Sequence, residues 1–275
     1  MAKTHPIVLA HGIARFDALT NRVFKIDNQD GDDGLHYFRY IRTHLQEHDF
    51  TVQHSHVEWA RGLDVRSKTL RREVERILAE EHAEKVHIIA HSMGGLDTRR
   101  MLFDSRNDGL YKRVASLTTL GTPHFGSPVA DFLVRNMGNL VSQFGLPIEG
   151  VQDLTTEACR SFHDTADAWE SNCGVRFRTY AGAQNVLHIF NPLKIAWGII
   201  KPIEGDNDGL VSVKSARWKT EYFVEPVLDA DHLNLLGWWD LSELAQNVWP
   251  AELETRIKQV YLNIANDLAA ALPLA

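Results

Sequence analysis

Residues 86–95 read Val-His-Ile-Ile-Ala-His-Ser-Met-Gly-Gly, and few folds accommodate that order. Val86, Ile88 and Ile89 form a short apolar run typical of a strand buried on both faces of a parallel sheet. Ser92 follows at once, with helix-type sequence through Leu96, Arg99, Met101 and Leu102 directly behind it. A serine held between a strand and a helix sits on a sharp turn, with its hydroxyl pushed out above the sheet edge. Its neighbours must be small, because the two backbones nearly touch there. Gly94 and Gly95 meet that need, and Ala90 stands where Gly-x-Ser-x-Gly turns have their first glycine. The helix start behind Ser92 also offers unpaired backbone N–H groups to developing negative charge. An ordinary strand-to-helix turn fits the same letters, so the rest of the chain must decide.

Strand and helix patterns alternate around this turn. An apolar strand at 6–13 ends in His11-Gly12, a flexible corner at the carboxyl edge, where open α/β sheets bind ligands. Leu35, Phe38, Ile41 and Leu45 have helical spacing over 35–45. Residues 50–57 alternate as a strand, and 63–83 form a long amphipathic helix. A buried strand over 114–120 is closed by Gly121-Thr-Pro-His-Phe-Gly126, and later strands are expected at 175–181 and 222–227. Residues 251–272 end in a helix with Ile257, Val260, Tyr261, Ile264 and Leu268 facing inward. The pattern predicts one α/β domain over 1–275, a mostly parallel sheet flanked by helices. Two apolar inserts, at about 127–172 and 183–204, predict a helical cap. The stripe Val129, Phe132, Leu133, Met137, Leu140, Val141 and Phe144 in the first is a lid or an ordinary core-facing helix.

Charge and composition exclude several classes. A net charge of −7 with no basic run argues against nucleic acid as a partner. No window reaches the ~20 apolar residues of an integral membrane span. Met1 to Pro6 run straight into Ile7 without a signal-peptide pattern. That predicts a cytoplasmic protein or one secreted without an N-terminal leader. Cys159 and Cys173 are compatible with one disulfide or two reduced thiols. Asp27, Asp30, Asp32 and Asp33 miss the Asp-x-[Asp/Asn]-x-[Asp/Asn]-Gly calcium pattern and read as a solvated loop.

A serine nucleophile needs a base to take its proton and a carboxylate to hold that base. In a sheet of this type both follow the serine, on loops after later strands. Asp208 lies in the turn Glu204-Gly-Asp-Asn-Asp-Gly209, and His232 lies in Asp229-Ala-Asp-His232. The order Ser92, Asp208, His232 is that of the α/β-hydrolases. Asp206 competes as the acid, Asp208 also suits a plain turn cap, and His188 competes less well as the base. Asp231 is expected to fix the His232 loop. His11 and His91 are expected to shape the site by hydrogen bonding. The oxyanion donors predicted by the same geometry are the backbone N–H groups of Ile13 and Met93, which contribute about 3–4 kcal/mol each in measured cases.

Five segments together carry a resemblance: Leu9-Ala-His-Gly-Ile13 with Phe16-Asp17; Ala90-His-Ser-Met-Gly-Gly95; Thr119-Leu-Gly-Thr-Pro-His-Phe-Gly-Ser127; Asn207-Asp-Gly-Leu-Val211; and Asp231-His-Leu-Asn234. The chain resembles the bacterial triacylglycerol lipases over about 6–239. The resemblance implies Ser92, Asp208 and His232 as triad, Ile13 and Met93 as oxyanion donors, a helical lid, and a lipid ester substrate met at an oil–water interface. No cofactor is required. Many such lipases carry a structural calcium, with an aspartate ligand two residues beyond the catalytic histidine. Asn234 occupies that position here, a weaker ligand. A soluble short-chain esterase, an acyltransferase or thioesterase, and an inactive binding module are the rival readings.

Overall fold

The computed structural model describes residues 4–13, 33–58, 61–143, 148–239 and 250–271. Strands β1 (Ile7–Ala10), β2 (Val52–His54), β3 (Val86–His91), β4 (Val114–Leu120) and β5 (Arg176–Tyr180) form one sheet in the order β2-β1-β3-β4-β5. Every pairing in it is parallel. Such a sheet needs helices on both faces, and its strands alternate sides residue by residue. Ile7 and Leu9 of β1 point to one face with Ile89, Leu120 and Tyr180. There they meet helix α1 (Ile41–Glu47) through Ile41 and Leu45, and the terminal helix α9 (Pro250–Ala270) through Ile257, Tyr261, Ile264 and Leu268. Val8 and Ala10 point the other way with Ile88, Ala90 and Leu117. That face is covered by α2 (Leu63–Glu80) and α3 (Met93–Asp104), through Leu70, Val74, Ile77, Met101 and Leu102. Each such side chain, fully buried, contributes about 1.5–3 kcal/mol.

Between β4 and β5 lie α4 (Pro128–Gln143), α5 (Ile148–Gln152) and α6 (Thr156–Glu170). Helix α6 packs on α3, where buried Arg99 donates to both carboxylate oxygens of buried Glu170 at 2.8 and 2.9 Å. It therefore belongs to the layer that flanks the sheet. Helix α4 packs on α5, on α6 and on α7 (Lys194–Glu204) of the second insert. Ala130 is buried against Val151, whereas Phe132 and Val134 face solvent. Phe144 lies outside the described residues. A short helix α8 (Val213–Ala216) and the paired two-residue strands β6 (Gly182–Ala183) and β7 (Leu228–Asp229) complete the α-helices and paired strands among the described residues.

Two expected elements differ. The helix anticipated at 35–45 begins only at Ile41, because Tyr40 takes a left-handed conformation (φ 57°) and the preceding residues form a 3-10 turn, Asp33–Leu35. The strand anticipated at 222–227 is reduced to a single bridge, Phe223 with Thr179. Pro226 has no N–H to give to a ladder, and regular pairing resumes only at Leu228. Both thiols are free, with Cys159 buried and donating to the Asp153 carbonyl. Burial pushes the Cys159 thiol up to about 12. Among the described residues no helix is long and apolar enough to cross a membrane.

Candidate active site

Ser92 occupies the junction of β3 and α3 with φ 54° and ψ −132°, a strained conformation for a non-glycine residue. Its N–H donates to the Leu120 carbonyl (3.1 Å), and its own carbonyl accepts from Thr122 Oγ1 (2.8 Å) and Gly95 N–H (3.1 Å). These bonds hold the turn between β4 and the helix start. A Cβ on Gly94 would strike the Ala10 carbonyl oxygen, and one on Gly95 would strike the Thr122 side chain. The glycines are there because strand and helix touch.

The loop after β1 lies directly against this turn. A Cβ on Gly12 would stand 2.7 Å from Ser92 Cβ. Ile13 packs with Met93, Leu63, Leu96 and Cys159 in one apolar cluster. Met93 is the first residue of α3, so its N–H has no acceptor within the helix. Both expected oxyanion donors thus belong to backbone that adjoins Ser92.

Asp208 and His232 meet at the carboxyl end of β4, beside Gly121. His232 Nδ1 lies 2.7 Å from Asp208 Oδ2, and the His232 N–H donates to the Asp208 carbonyl at 2.8 Å. The other carboxylate oxygen accepts the N–H groups of Leu210 (2.9 Å) and Val211 (2.7 Å). An ionised carboxylate only accepts, so the Nδ1 proton is fixed by this contact and Nε2 keeps its lone pair. Asp208 is fully buried, and His232 and Ser92 are nearly so. Gly121, with φ 57°, lets the three strand ends converge: a Cβ there would lie 3.0 Å from Asp208 Oδ2 and 3.4 Å from His232 Nδ1.

The rival groups fall elsewhere. Asp206 is exposed and pairs with Lys201 at 2.7 Å. Asp231 is buried, and its carboxylate accepts from the N–H groups of Leu233, Asn234 and Phe190. It ties the His232 loop to the second insert, and burial pushes its carboxyl up to about 6. His11 Nδ1 bonds the Gly12 carbonyl at 2.9 Å, and burial drives its titration down to about 3. His91 Nδ1 lies within hydrogen-bond distance of the Tyr37 hydroxyl at 2.9 Å, and its ring centroid is 4.4 Å from that of His232. Burial and the facing His232 hold it well below the usual histidine range. Asn234 spends its amide inside the protein, accepting from Asp231 N–H and donating to the Trp238 carbonyl. That side chain does not fit a calcium ligand.

Sequence reasoning missed a buried ion pair beneath the site. Arg66 donates to both oxygens of Asp97, at 3.0 and 2.6 Å to Oδ2 and 3.2 Å to Oδ1, and its Nη2 also donates to the His11 carbonyl at 2.9 Å. The pair therefore props the loop that carries Ile13. Its signal was available: Arg66 stands three residues after Leu63 and four before Leu70, a charge inside an apolar stripe. Asp97→Ala is expected to cost 3–5 kcal/mol, because it strands a buried guanidinium. A thermal melt should register a drop of roughly 10 °C, and an unchanged melting temperature would deny the pair its supporting role.

A five-stranded parallel sheet with a strained serine between β3 and α3, followed in chain order by a paired Asp and His at later strand ends, defines an α/β-hydrolase. A family model for lecithin:cholesterol acyltransferase matches residues 49–144. The chain is 29% identical to triacylglycerol lipase 2 of Saccharomyces cerevisiae, over 96% of this chain and 91% of that one. It is 30% identical to a triacylglycerol lipase of Vibrio cholerae, over 77% of this chain and 73% of the relative. A solved mature lipase of Bacillus licheniformis superposes with a TM-score of 0.64 at 23% identity, covering 84% of this chain and 86% of the other. The chain belongs to the triacylglycerol lipase family.

Proposed function

We propose that this lipase hydrolyses carboxylic esters of lipids through an acyl-Ser92 intermediate, with His232 as base and Asp208 as its orienting acid. Ser92 Oγ attacks the ester carbonyl while His232 Nε2 takes the hydroxyl proton. The carbonyl oxygen becomes an oxyanion facing the N–H groups of Ile13 and Met93. Collapse of the tetrahedral intermediate breaks the C–O bond to the alcohol, which leaves with the proton from His232. Water, deprotonated by the same nitrogen, then attacks the acyl carbon, and Ser92 leaves as the hydroxyl with release of the fatty acid. The observation that carries this reading is the buried 2.7 Å contact of His232 Nδ1 with Asp208 beside the strained Ser92 turn.

Exposed apolar side chains support a lipid surface as the place of action. Phe132 and Val134 on α4, Leu187 in the second insert, and Ile195 and Ile203 on α7 all face solvent, Ile195 at 80% of its full area. Helices α4 and α7 pack against each other, so the side chains they carry lie on adjoining elements. Exposed apolar groups on adjoining helices are suited to contact with an apolar phase. A p-nitrophenyl ester series from acetyl to palmitoyl is expected to give its highest kcat/KM with long acyl chains and a rise in rate above the substrate's solubility. A maximum at acetyl without that rise would identify a short-chain esterase. The acyltransferase family match favours one second reading, transfer of the same acyl group to an alcohol. A competing long-chain alcohol that captures most of the acyl flux would establish it.

A further inference from the structure

Outside the site, three ligating side chains converge on one point beside β2. Asp33 in the 3-10 turn, His36 just after it and His54 at the end of β2 are all at least 97% buried. Asp33 therefore does not belong to the solvated loop expected from the sequence, whose Asp27, Asp30 and Asp32 lie outside the described residues. His36 Nδ1 is 3.2 Å and His54 Nε2 is 3.4 Å from the same oxygen, Asp33 Oδ1. The ligand atoms of the three all lie within 4.8 Å of one another, and the two imidazoles meet edge to face.

We infer that Asp33, His36 and His54 form a binding site for a zinc-class divalent ion. The separations carry the argument. Two ligand atoms each about 2.0–2.1 Å from a tetrahedral zinc stand about 3.3–3.4 Å apart, whereas a charged hydrogen bond to a carboxylate is nearer 2.7–2.9 Å. The observed 3.2 and 3.4 Å match the edges of a coordination tetrahedron. One carboxylate and two imidazoles make a donor set suited to zinc, with water in the fourth position. Asp33 Oδ2 accepts the Thr43 N–H at 2.8 Å, which fixes the carboxylate as an outer partner fixes a ligand. Arg42 Nε, 3.5 Å from Oδ1, adds a repulsive charge and sets the affinity below that of four-ligand structural sites. A second such cluster among the described residues, His163, Asp167 and Glu170, is unsuited, because Lys219 takes Asp167 and Arg99 takes Glu170.

An ion here would clamp the segment after the first loop onto β2. Tyr37, next to His36, is hydrogen-bonded to His91 beside Ser92, so the clamp would steady the wall of the site without touching substrate. The test uses the full chain, stripped with a chelator and titrated with Zn²⁺ and with Co²⁺. Expected are one bound equivalent by elemental analysis, an intense tetrahedral Co²⁺ visible band, and a melting temperature raised by about 5 °C at a hundredfold excess over the dissociation constant. His54→Gln and His36→Gln, with unchanged circular dichroism, should each lose the band and the thermal shift. Metal uptake that survives both substitutions would mean adventitious binding and overturn the proposal. Should a variant fail to fold, X-ray absorption on the zinc-loaded wild type decides: two imidazoles at about 2.0 Å support the site. Any other first shell, or no uptake, overturns it.

Discussion

Ser92→Ala is expected to lower turnover of a dissolved ester by about 10⁶-fold, and His232→Ala by a similar factor. The double variant should lose little more than either alone, since the two groups act in one proton transfer and their effects do not add. Asp208→Asn is expected to cost about 10⁴-fold, because an amide favours the wrong tautomer of His232 while leaving the geometry intact. The residual rate in each is expected to come from bound substrate facing the proposed oxyanion donors, the N–H groups of Ile13 and Met93. Initial rates on a p-nitrophenyl ester, with circular dichroism to verify the fold, measure all of these. Retention of more than a hundredth of the activity in Ser92→Ala would place the nucleophile elsewhere.

The second large effect is on stability in acid. His11, His87, His91 and His124 are buried, and burial holds all four neutral, with His11 titrating at about 3 and His87 at about 4. In the unfolded chain each titrates near 6.5. As pH falls below 6.5 the unfolded state therefore binds protons that the native state refuses, and stability drops. From pH 6.5 to 5 each contributes a loss of between about 1 and 2 kcal/mol, or about 7 kcal/mol for the four. Asp97 and Asp231, both pushed up to about 6 by burial, act in the opposite sense near and below pH 6 and return about 2 kcal/mol. The net loss near 5 kcal/mol is comparable to the whole stability of many domains. Urea midpoints measured from pH 7.5 to 5 are expected to fall steeply below pH 6.5. A flat profile would mean that these histidines protonate within the fold.

Periodicity made most of the frame legible. The parallel strands at Ile7, Val86 and Val114, and the helices starting at Leu63 and near Pro250, followed from apolar runs and stripes that local sequence dictates. What local sequence hid was set by single backbone angles and by distant partners. Tyr40 delays a helix whose apolar spacing begins at Leu35, and Pro226 breaks a strand whose side-chain pattern continues to Val227. The candidate site was readable because a strained serine demands glycines at fixed offsets, and because Asp208 and His232 sit in short turn-rich loops after strands. Arg66 with Asp97, and Tyr37 with His91, were hidden for a different reason. Each pair spans 31 or 54 residues, and only packing brings such partners together. The same holds for Asp33 and His54, 21 residues apart.

The central claim is that Ser92 is made nucleophilic by His232 held on Asp208, and covalent labelling tests it most directly. A fluorophosphonate carrying an alkyl chain transfers its phosphonyl group only to an activated hydroxyl. Mass spectrometry of a digest is predicted to find one equivalent, on the peptide that contains Ser92. The adduct should be absent from Ser92→Ala and strongly slowed in His232→Ala. An adduct on any other residue, or labelling of Ser92 at an undiminished rate without His232, would contradict the account.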